Sequence, residues 1–243
     1  MGGLAQERRT ARFVSARRRG ATAREPLRFD TLPRGRLTVL CLGAHSDDIE
    51  IGCGGTILAL LAARRDVTCH WVVFSGGGGP RADEARRGAD LFLARARRQQ
   101  VTVHGFRDGF FPYDGGAIKE AFEALAREVS PDIVFTHTRD DRHQDHRVVS
   151  DLTWNSFRSH LILEYEVPKY DGDLGVPNFF VPLRAAVARA KIRHLHTAFA
   201  TQRSKRWFTA DTFHALLRLR GVESGASEGL AEAFYARKIS ASF

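Results

Sequence analysis

The chain has 243 residues, of which 43% are apolar, enough for one domain of ordinary size with a sizeable core. It contains no run of about 18 apolar residues, so we expect no membrane span. The formal net charge is +9, and residues 1–36 supply +7 of it through ten arginines against three acidic residues. Because the remainder of the chain is nearly neutral, we expect no specific nucleic-acid binding by the domain.

The composition of residues 1–35, rich in arginine, alanine and glycine, is typical of a basic, flexible arm, and 36–243 is predicted to form a single domain. In that domain apolar runs of strand length alternate with segments of helix length. We predict strands at 37–43, 67–74, 101–106, 132–136, 161–167 and 231–239, the last at a sheet edge, and helices at 53–64, 81–98, 116–129, 145–157, 182–199 and 209–220. This alternation predicts an α/β fold, a Rossmann-like three-layer sandwich with a mostly parallel sheet and helices on both faces.

The first polar stretch of interest follows the first predicted strand and contains His45, Asp47 and Asp48. In an open α/β sheet, ligands bind in the crevice at the carboxyl ends of the strands. An imidazole and two carboxylates at that place could hold a metal ion and supply a base. The alternative is that Ser46, Asp47 and Asp48 only cap the following helix.

A second stretch follows the fourth predicted strand and runs from His137 to His146. These ten residues include three histidines and three aspartates. Two such stretches at the carboxyl ends of parallel strands would meet at one edge of the sheet. Catalytic zinc sites use three protein ligands and leave one position open. His45, Asp48 and His146 could supply such a set.

Together the two stretches resemble the PIG-L/LmbE-like family of zinc-dependent N-acetylsugar deacetylases. The sequence from Ala44 to Gly55, AHSDDIEIGCGG, is similar to the family pattern (Pro/Ala)-His-Pro-Asp-Asp-x-x-x-Gly-x-Gly-Gly. The sequence from His137 to His146, HTRDDRHQDH, is similar to the family pattern His-x-x-Asp-x-x-His-x-Asp-His. Ser46 and Gln144 stand where the family commonly has proline, which affects loop shape rather than metal chemistry.

The resemblance implies a zinc ion, with iron(II) as an alternative for the same ligands. Its implied ligands are His45, Asp48 and His146, and Asp47 is the implied general base. His143 would be protonated and would stabilise the oxyanion, with Asp145 holding its ring and raising its pKa. Arg81 would contact the substrate, unless it is only a solvated arginine. Three further assignments remain open. Asp108 binds sugar hydroxyls or forms a turn. Asp140 and His137 orient the ligands, with a turn cap as the alternative for Asp140.

The function that the resemblance implies is a metal-dependent hydrolase that removes acetyl from an N-acetylglucosamine-type sugar, a small-molecule substrate. A non-catalytic metal- or carbohydrate-binding protein on the same fold is the alternative. The loop 168–178 could form a wall of the substrate pocket, whereas 75–80 could be a lid, a substrate loop or a plain linker. The chain has only three cysteines, which indicates reduced thiols and a cytoplasmic protein. The sequence is also compatible with a homo-oligomer.

Overall fold

The computed structural model describes residues 35–239. The predicted flexible arm therefore lies, except for its last residue, outside the described residues, and its flexibility stays a prediction. In the described part, strands and helices alternate as follows: β1 Leu37–Gly43, α1 Asp48–Ala63, β2 Val67–Ser75, α2 Pro80–Leu93, β3 Arg98–Phe106, α3 Gly115–Glu128, β4 Ile133–His137, α4 Gln144–Ser156, β5 Leu161–Tyr165, β6 Phe179–Pro182, α5 Ala185–Ala198, a 3-10 turn Ala200–Gln202, α6 Ala210–Glu223 and β7 Ala231–Tyr235.

The seven strands form one sheet in the order β3-β2-β1-β4-β5-β7-β6. The first five in this order run parallel, and β7 pairs antiparallel with both β5 and β6. The chain moves outwards from β1 in one direction to β3 and then returns to place β4 on the other side of β1. The switch point therefore lies between β1 and β4, and their carboxyl ends border the crevice that open α/β sheets use for ligands.

Both faces of the sheet are covered, as successive side chains of β1 show. Val39 and Cys41 point into a core shared with α1, α2 and α5. Leu40 and Leu42 point into a second core shared with α3 and α4. A strand buried on both sides explains the continuous apolar run of β1, and the predicted three-layer α/β fold is confirmed.

Three predictions about the elements are wrong. The helix predicted at 81–98 ends at Leu93, and β3 already begins at Arg98. The last strand, predicted at the edge, lies inside the sheet because β6 pairs with its outer side. The sequence of β6, Phe179–Pro182, has only four residues and ends in a proline, so its pattern did not stand out from the preceding loop. Helix α1 also begins at Asp48 rather than at 53, which places Asp48 itself in its first turn.

Helix α1 is buried along most of its length, and small residues let its neighbours approach closely. A Cβ atom on Gly52 would lie 2.1 Å from Cδ2 of Tyr165, whose ring packs on the helix backbone at that point. The Tyr165 hydroxyl donates to the carbonyl oxygen of Leu42 at 2.6 Å. Tyr165 therefore holds the start of α1 against the end of β1, the two segments that flank the first site stretch.

A buried ion pair supports α1 from the other side. Glu232 on β7 accepts hydrogen bonds from the backbone N–H groups of Gly55 and Thr56, at 2.7 and 2.6 Å. Lys191 on α5 donates to Glu232 and to the carbonyl oxygen of Ile51, both at 2.5 Å. Because removal of one member would leave the other charge buried and unpaired, this contact fixes α1 to the C-terminal half of the domain.

The three cysteines, Cys41, Cys53 and Cys69, are buried and form no disulfide. Burial raises the pKa of each thiol, so these side chains act as small apolar groups of the core. Within residues 35–239 the structure has no helix whose length and apolar character would suit a membrane crossing.

Candidate active site and metal centre

The turn between β1 and α1 brings His45 and Asp48 onto one side of the crevice. The carboxylate of Asp48 accepts a hydrogen bond from the backbone N–H of His45 at 2.6 Å, which curls the turn. As a result, Nδ1 of His45 lies 3.3 Å from Oδ2 of Asp48. Asp47 occupies the N-cap position of α1, but its side chain makes no capping hydrogen bond. The capping alternative therefore does not account for Asp47.

The segment after β4 delivers His146 to the same place from the first turn of α4. Nε2 of His146 lies 3.1 Å from Nδ1 of His45 and 3.5 Å from Oδ2 of Asp48. Ligand atoms about 2.0–2.1 Å from a tetrahedral zinc ion are roughly 3.3–3.4 Å from one another. The three donor atoms thus have the mutual spacing that such an ion requires, and the nitrogen and oxygen donors suit zinc or iron(II).

Carboxylates hold the far nitrogens of both imidazoles, as is usual for histidines that bind metals. Nδ1 of His146 lies 2.9 Å from Oδ2 of Asp141. Nε2 of His45 lies 3.2 Å from Oδ2 of Asp145 and 3.1 Å from Oδ1 of Asp108. These contacts leave Nδ1 of His45 and Nε2 of His146 directed at each other and at Asp48.

The carboxylate that orients His146 belongs to Asp141, not to Asp140 as predicted. The side chain of Asp140 is 76% exposed and pairs with Arg237 at 3.2 Å. Asp141 is buried, and its Oδ1 accepts the backbone N–H of His143 at 2.8 Å. Burial alone would raise the pKa of Asp141, but the hydrogen bond and charge of His146 and the charge of Lys169 lower it well below its usual value. In an irregular loop no periodicity indicates which of two adjacent aspartates faces inwards, although the spacing of Asp141 from His143 suits a side-chain turn.

His137, predicted as an orienting residue, is fully buried behind the ligands. Its Nε2 accepts the backbone N–H of Ala44 at 3.0 Å and lies 3.2 Å from Oδ2 of Asp48. Its ring stacks on that of His146 with the centroids 3.8 Å apart. His137 therefore supports the ring of His146 from the interior of the sheet.

The carboxylate of Asp145 does not hold the ring of His143 as predicted, although its charge acts to raise the pKa of His143. The carboxylate of Asp145 faces His45 and accepts the backbone N–H groups of Gly109 and Phe111, at 2.6 and 3.1 Å. His143 instead caps α4, because its Nδ1 accepts the backbone N–H of Asp145 at 3.3 Å. This contact places the proton of a neutral imidazole on Nε2, and burial together with the charge of His45 lowers the pKa of His143. The contact of Nδ1 with the backbone favours the neutral imidazole in this structure, and the predicted role of a protonated His143 stays a prediction.

Asp47 combines one anchored and one free carboxylate oxygen. Oδ1 accepts a hydrogen bond from Nη2 of Arg81 at 2.7 Å. Oδ2 is buried and has no hydrogen-bond partner in residues 35–239. Burial raises the pKa of Asp47, the charge of Arg81 opposes this rise, and the neighbouring Asp48 adds to it. Arg81, predicted to contact the substrate, is itself fixed by Asp47 and by Glu84 at 2.9 Å.

These side chains border a cleft of about 380 Å³. Seven of the predicted site residues border it: His45, Asp47, Asp48, Arg81, Asp108, His143 and His146. The border also includes the segment after β5, with Tyr170 and Asp171 as predicted for the loop 168–178. It also includes Gln202, Lys205 and Trp207 from the segment between α5 and α6, which the sequence did not indicate. The glycine-rich residues 76–79 are not among those that border the cleft.

The sheet, its switch point and the histidine and aspartate donors beside it define an α/β protein with a candidate metal centre at the carboxyl ends of β1 and β4. The chain belongs to the PIG-L family: the family model, described as GlcNAc-PI de-N-acetylase, matches residues 40–157, which contain both site stretches. The protein named uncharacterized deacetylase YaiS, from Escherichia coli (strain K12), is 31% identical over 145 residues, 55% of this chain and 75% of that protein. The resemblance seen in the sequence is therefore confirmed.

Solved structures share the fold at low sequence identity. The N,N'-diacetylchitobiose deacetylase from Pyrococcus horikoshii is 22% identical with a TM-score of 0.64, over 81% of this chain and 82% of that one. GalB, the 4-carboxy-2-hydroxymuconate hydratase from Pseudomonas putida KT2440, is 17% identical with a TM-score of 0.66, over 86% and 99% of the two chains. Proteins named for different reactions thus share this architecture, so the reaction must be argued from the site.

The adjacent residues Asp140 and Asp141 offer a matched test of the site geometry. We expect Asp141→Asn to weaken zinc binding about 10- to 100-fold, because Nδ1 of His146 loses its ionised partner. Asp140→Asn, which removes an exposed carboxylate, should leave the zinc dissociation constant within about twofold of the parent value. Competition with a chromophoric chelator measures both constants, and equal losses in the two variants would contradict the assignment.

Proposed function

We propose that the protein is a zinc-dependent N-deacetylase that hydrolyses the acetamido group of an N-acetylglucosamine-type sugar. The observation that carries the proposal is that Asp47, whose Oδ2 is buried and unpaired in residues 35–239, borders the same cleft as three donor atoms that lie within 3.5 Å of one another. A binding protein has no need of a second, unligated carboxylate at its metal centre. This arrangement therefore favours hydrolysis over non-catalytic binding.

In this proposal Nδ1 of His45, Oδ2 of Asp48 and Nε2 of His146 hold the metal ion. A bound zinc ion would supply Lewis-acid chemistry, since it acidifies water and polarises a carbonyl group. Iron(II) could occupy the same ligands. Asp108, Asp141 and Asp145 keep the ligand imidazoles in the orientation and tautomer that metal binding needs.

Asp47 acts as the general base. Its Oδ2 takes a proton from the attacking water, while the contact of Oδ1 with Arg81 fixes the direction of the carboxylate. The raised pKa of Asp47 makes it a stronger base than an ordinary aspartate. The same oxygen then returns the proton to the amide nitrogen, so that the amine can leave.

His143 stabilises the negative charge that develops on the carbonyl oxygen. Its Nδ1 accepts from the backbone of α4, so Nε2 carries a proton and can donate. The ring lies against His146, with the centroids 4.6 Å apart, and therefore beside the proposed ligands. A donor fixed in this way is worth about 10²–10³ in rate at comparable sites.

The walls of the cleft would bind the sugar. Tyr170 and Trp207 provide aromatic surface of the kind that packs on pyranose rings, and Asp108 and Asp171 can accept hydrogen bonds from hydroxyl groups.

The three unpaired, buried cysteines agree with a reducing compartment, and we assign the protein to the cytoplasm on that basis.

Acetate release from a panel of N-acetylated sugars tests the proposal. The purified chain would be assayed with N-acetylglucosamine, N,N'-diacetylchitobiose and a nucleotide sugar, before and after removal of metal by a chelator. We expect release of acetate from at least one of them, its loss after chelation, and its recovery with zinc or iron(II). Activity that persists after complete removal of metal would contradict the proposal, and a parallel preparation of Asp47→Asn identifies contaminating enzymes.

A further inference from the structure

Lys169 brings a buried positive charge close to the proposed metal centre. It lies four residues after the end of β5, and its side chain is 10% exposed. Its ammonium contacts Oδ2 of Asp141 at 3.0 Å and Oδ2 of Asp173 at 2.5 Å, and it lies 3.4 Å from the carbonyl oxygen of Val167. A cation repels a metal ion, so electrostatics alone gives no reason to place a lysine here.

The contacts of Asp141 provide a reason. Its Oδ1 accepts the backbone N–H of His143, and its Oδ2 contacts both His146 and Lys169. The carboxylate is thus fixed at both oxygens, and Lys169 is the charged side chain that completes this arrangement. Without Lys169, rotation of the carboxylate would be opposed only by the contacts to His143 and His146.

We propose that Lys169 is a positioning residue that acts through Asp141 on the metal ligand His146. The inference rests on the proposed metal centre, and it concerns the affinity of that centre. Lys169 fixes the Asp141 carboxylate, the carboxylate fixes the imidazole of His146, and Nε2 of His146 is thereby held facing Nδ1 of His45 and Oδ2 of Asp48.

The same lysine joins the substrate wall to the metal centre. Asp173 contacts Lys169 and also accepts the backbone N–H of Arg142, at 2.8 Å, in the loop that leads to His146. Tyr170 and Asp171, which border the cleft, lie between Lys169 and Asp173 in the chain. Residues 169–173 are therefore connected through Asp173 to the loop that leads to His146. A substitution at Asp173 should alter the zinc dissociation constant.

The sign of the effect on zinc affinity separates positioning from electrostatics. If Lys169 acted only as a charge, Lys169→Met would tighten zinc binding, because a repelling cation is removed. If Lys169 positions Asp141, the same substitution should weaken zinc binding by about tenfold. This is the lower end of the loss in metal affinity that follows removal of a residue supporting a metal ligand. Lys169→Arg, which keeps a cationic donor, should recover part of the loss.

The experiment measures zinc dissociation constants by chelator competition on the full, metal-free chain. Lys205→Met is the matched control, since Lys205 borders the same cleft and makes no ion pair with any residue of 35–239; it should change the constant by less than about twofold.

A double-mutant cycle shows whether Lys169 acts through Asp141. In the Asp141→Asn background, Lys169→Met should cause less than about a twofold further loss. Unchanged or tighter binding in Lys169→Met, or an equal loss in both backgrounds, would overturn the inference. If Lys169→Met does not fold, as judged by circular dichroism, Lys169→Arg decides in its place: it keeps the charge, so weaker zinc binding supports positioning and an unchanged constant overturns it. A parent protein that binds no zinc would reject the metal centre itself, a separate outcome.

Discussion

Replacing Asp47 with asparagine should lower kcat/KM for acetate release by about 10²–10⁴, the usual contribution of a general base. Asparagine has nearly the same shape, and its side-chain oxygen can still accept the hydrogen bond from Arg81. The free position, however, would hold an amide nitrogen that cannot accept a proton. Steady-state kinetics together with zinc analysis of the same sample measure the effect.

The neighbouring Ser46 supplies the control for Asp47→Asn. Its hydroxyl is buried and has no hydrogen-bond partner in the part of the chain that the structure describes. Ser46→Ala should therefore leave both turnover and zinc content close to the parent values. If Asp47→Asn kept more than about a tenth of the parent activity, Asp47 would not be the base. If it lost zinc as well as activity, Asp47 would instead be a ligand.

We expect the second large effect for Asp48→Asn. It should weaken zinc binding by more than about 100-fold, which is the most that loss of a residue holding a metal ligand usually costs. Oδ2 of Asp48 lies 3.3, 3.2 and 3.5 Å from nitrogens of His45, His137 and His146. Burial raises the pKa of Asp48, but the charges of these histidines outweigh it and hold the pKa well below its usual value. The carboxylate therefore stays ionised at neutral pH, and it is the one anion among the three proposed ligands.

Elemental analysis and chelator competition would measure the zinc bound by Asp48→Asn. Asp171→Asn, which also removes a carboxylate that borders the cleft, is the control for loss of one negative charge and should keep its zinc. An Asp48→Asn variant that binds zinc as tightly as the parent would contradict the assignment. It would favour the neighbouring set of His45, His143 and His146, whose donor atoms lie within 4.8 Å of one another.

The metal-binding side of the site was predictable because each proposed ligand lies within a few residues of a strand end or a helix start. Strand ends can be read from apolar runs, and parallel order brings them to one edge. This reasoning brought His45, Asp48 and His146 together, as the structure does. Their chemical roles remain proposals until the variants are measured.

The remainder of the site depends on tertiary contacts that leave no local pattern. Which of Asp140 and Asp141 faces inwards is decided by the shape of a loop and by contacts with Lys169 and Arg237. The protonation of His143 depends on a backbone N–H that only the folded α4 presents. Trp207 reaches the cleft from a segment between two helices, and nothing in its sequence separates it from an ordinary core tryptophan.

The ion pair of Lys191 and Glu232 gives the C-terminal strand a part in building the site that lies near the N-terminal end of the domain. The proposed ligands are all present once His146 has been synthesised, yet Gly55 and Thr56 on α1 receive their carboxylate partner only when β7 is added. A nascent or truncated chain that lacks β7 would leave the ammonium of Lys191 without its counter-ion in an apolar setting. Assembly of the proposed metal centre is thus coupled to the addition of β7, and a polypeptide that ends before β7 would carry the proposed ligands without the carboxylate that supports α1.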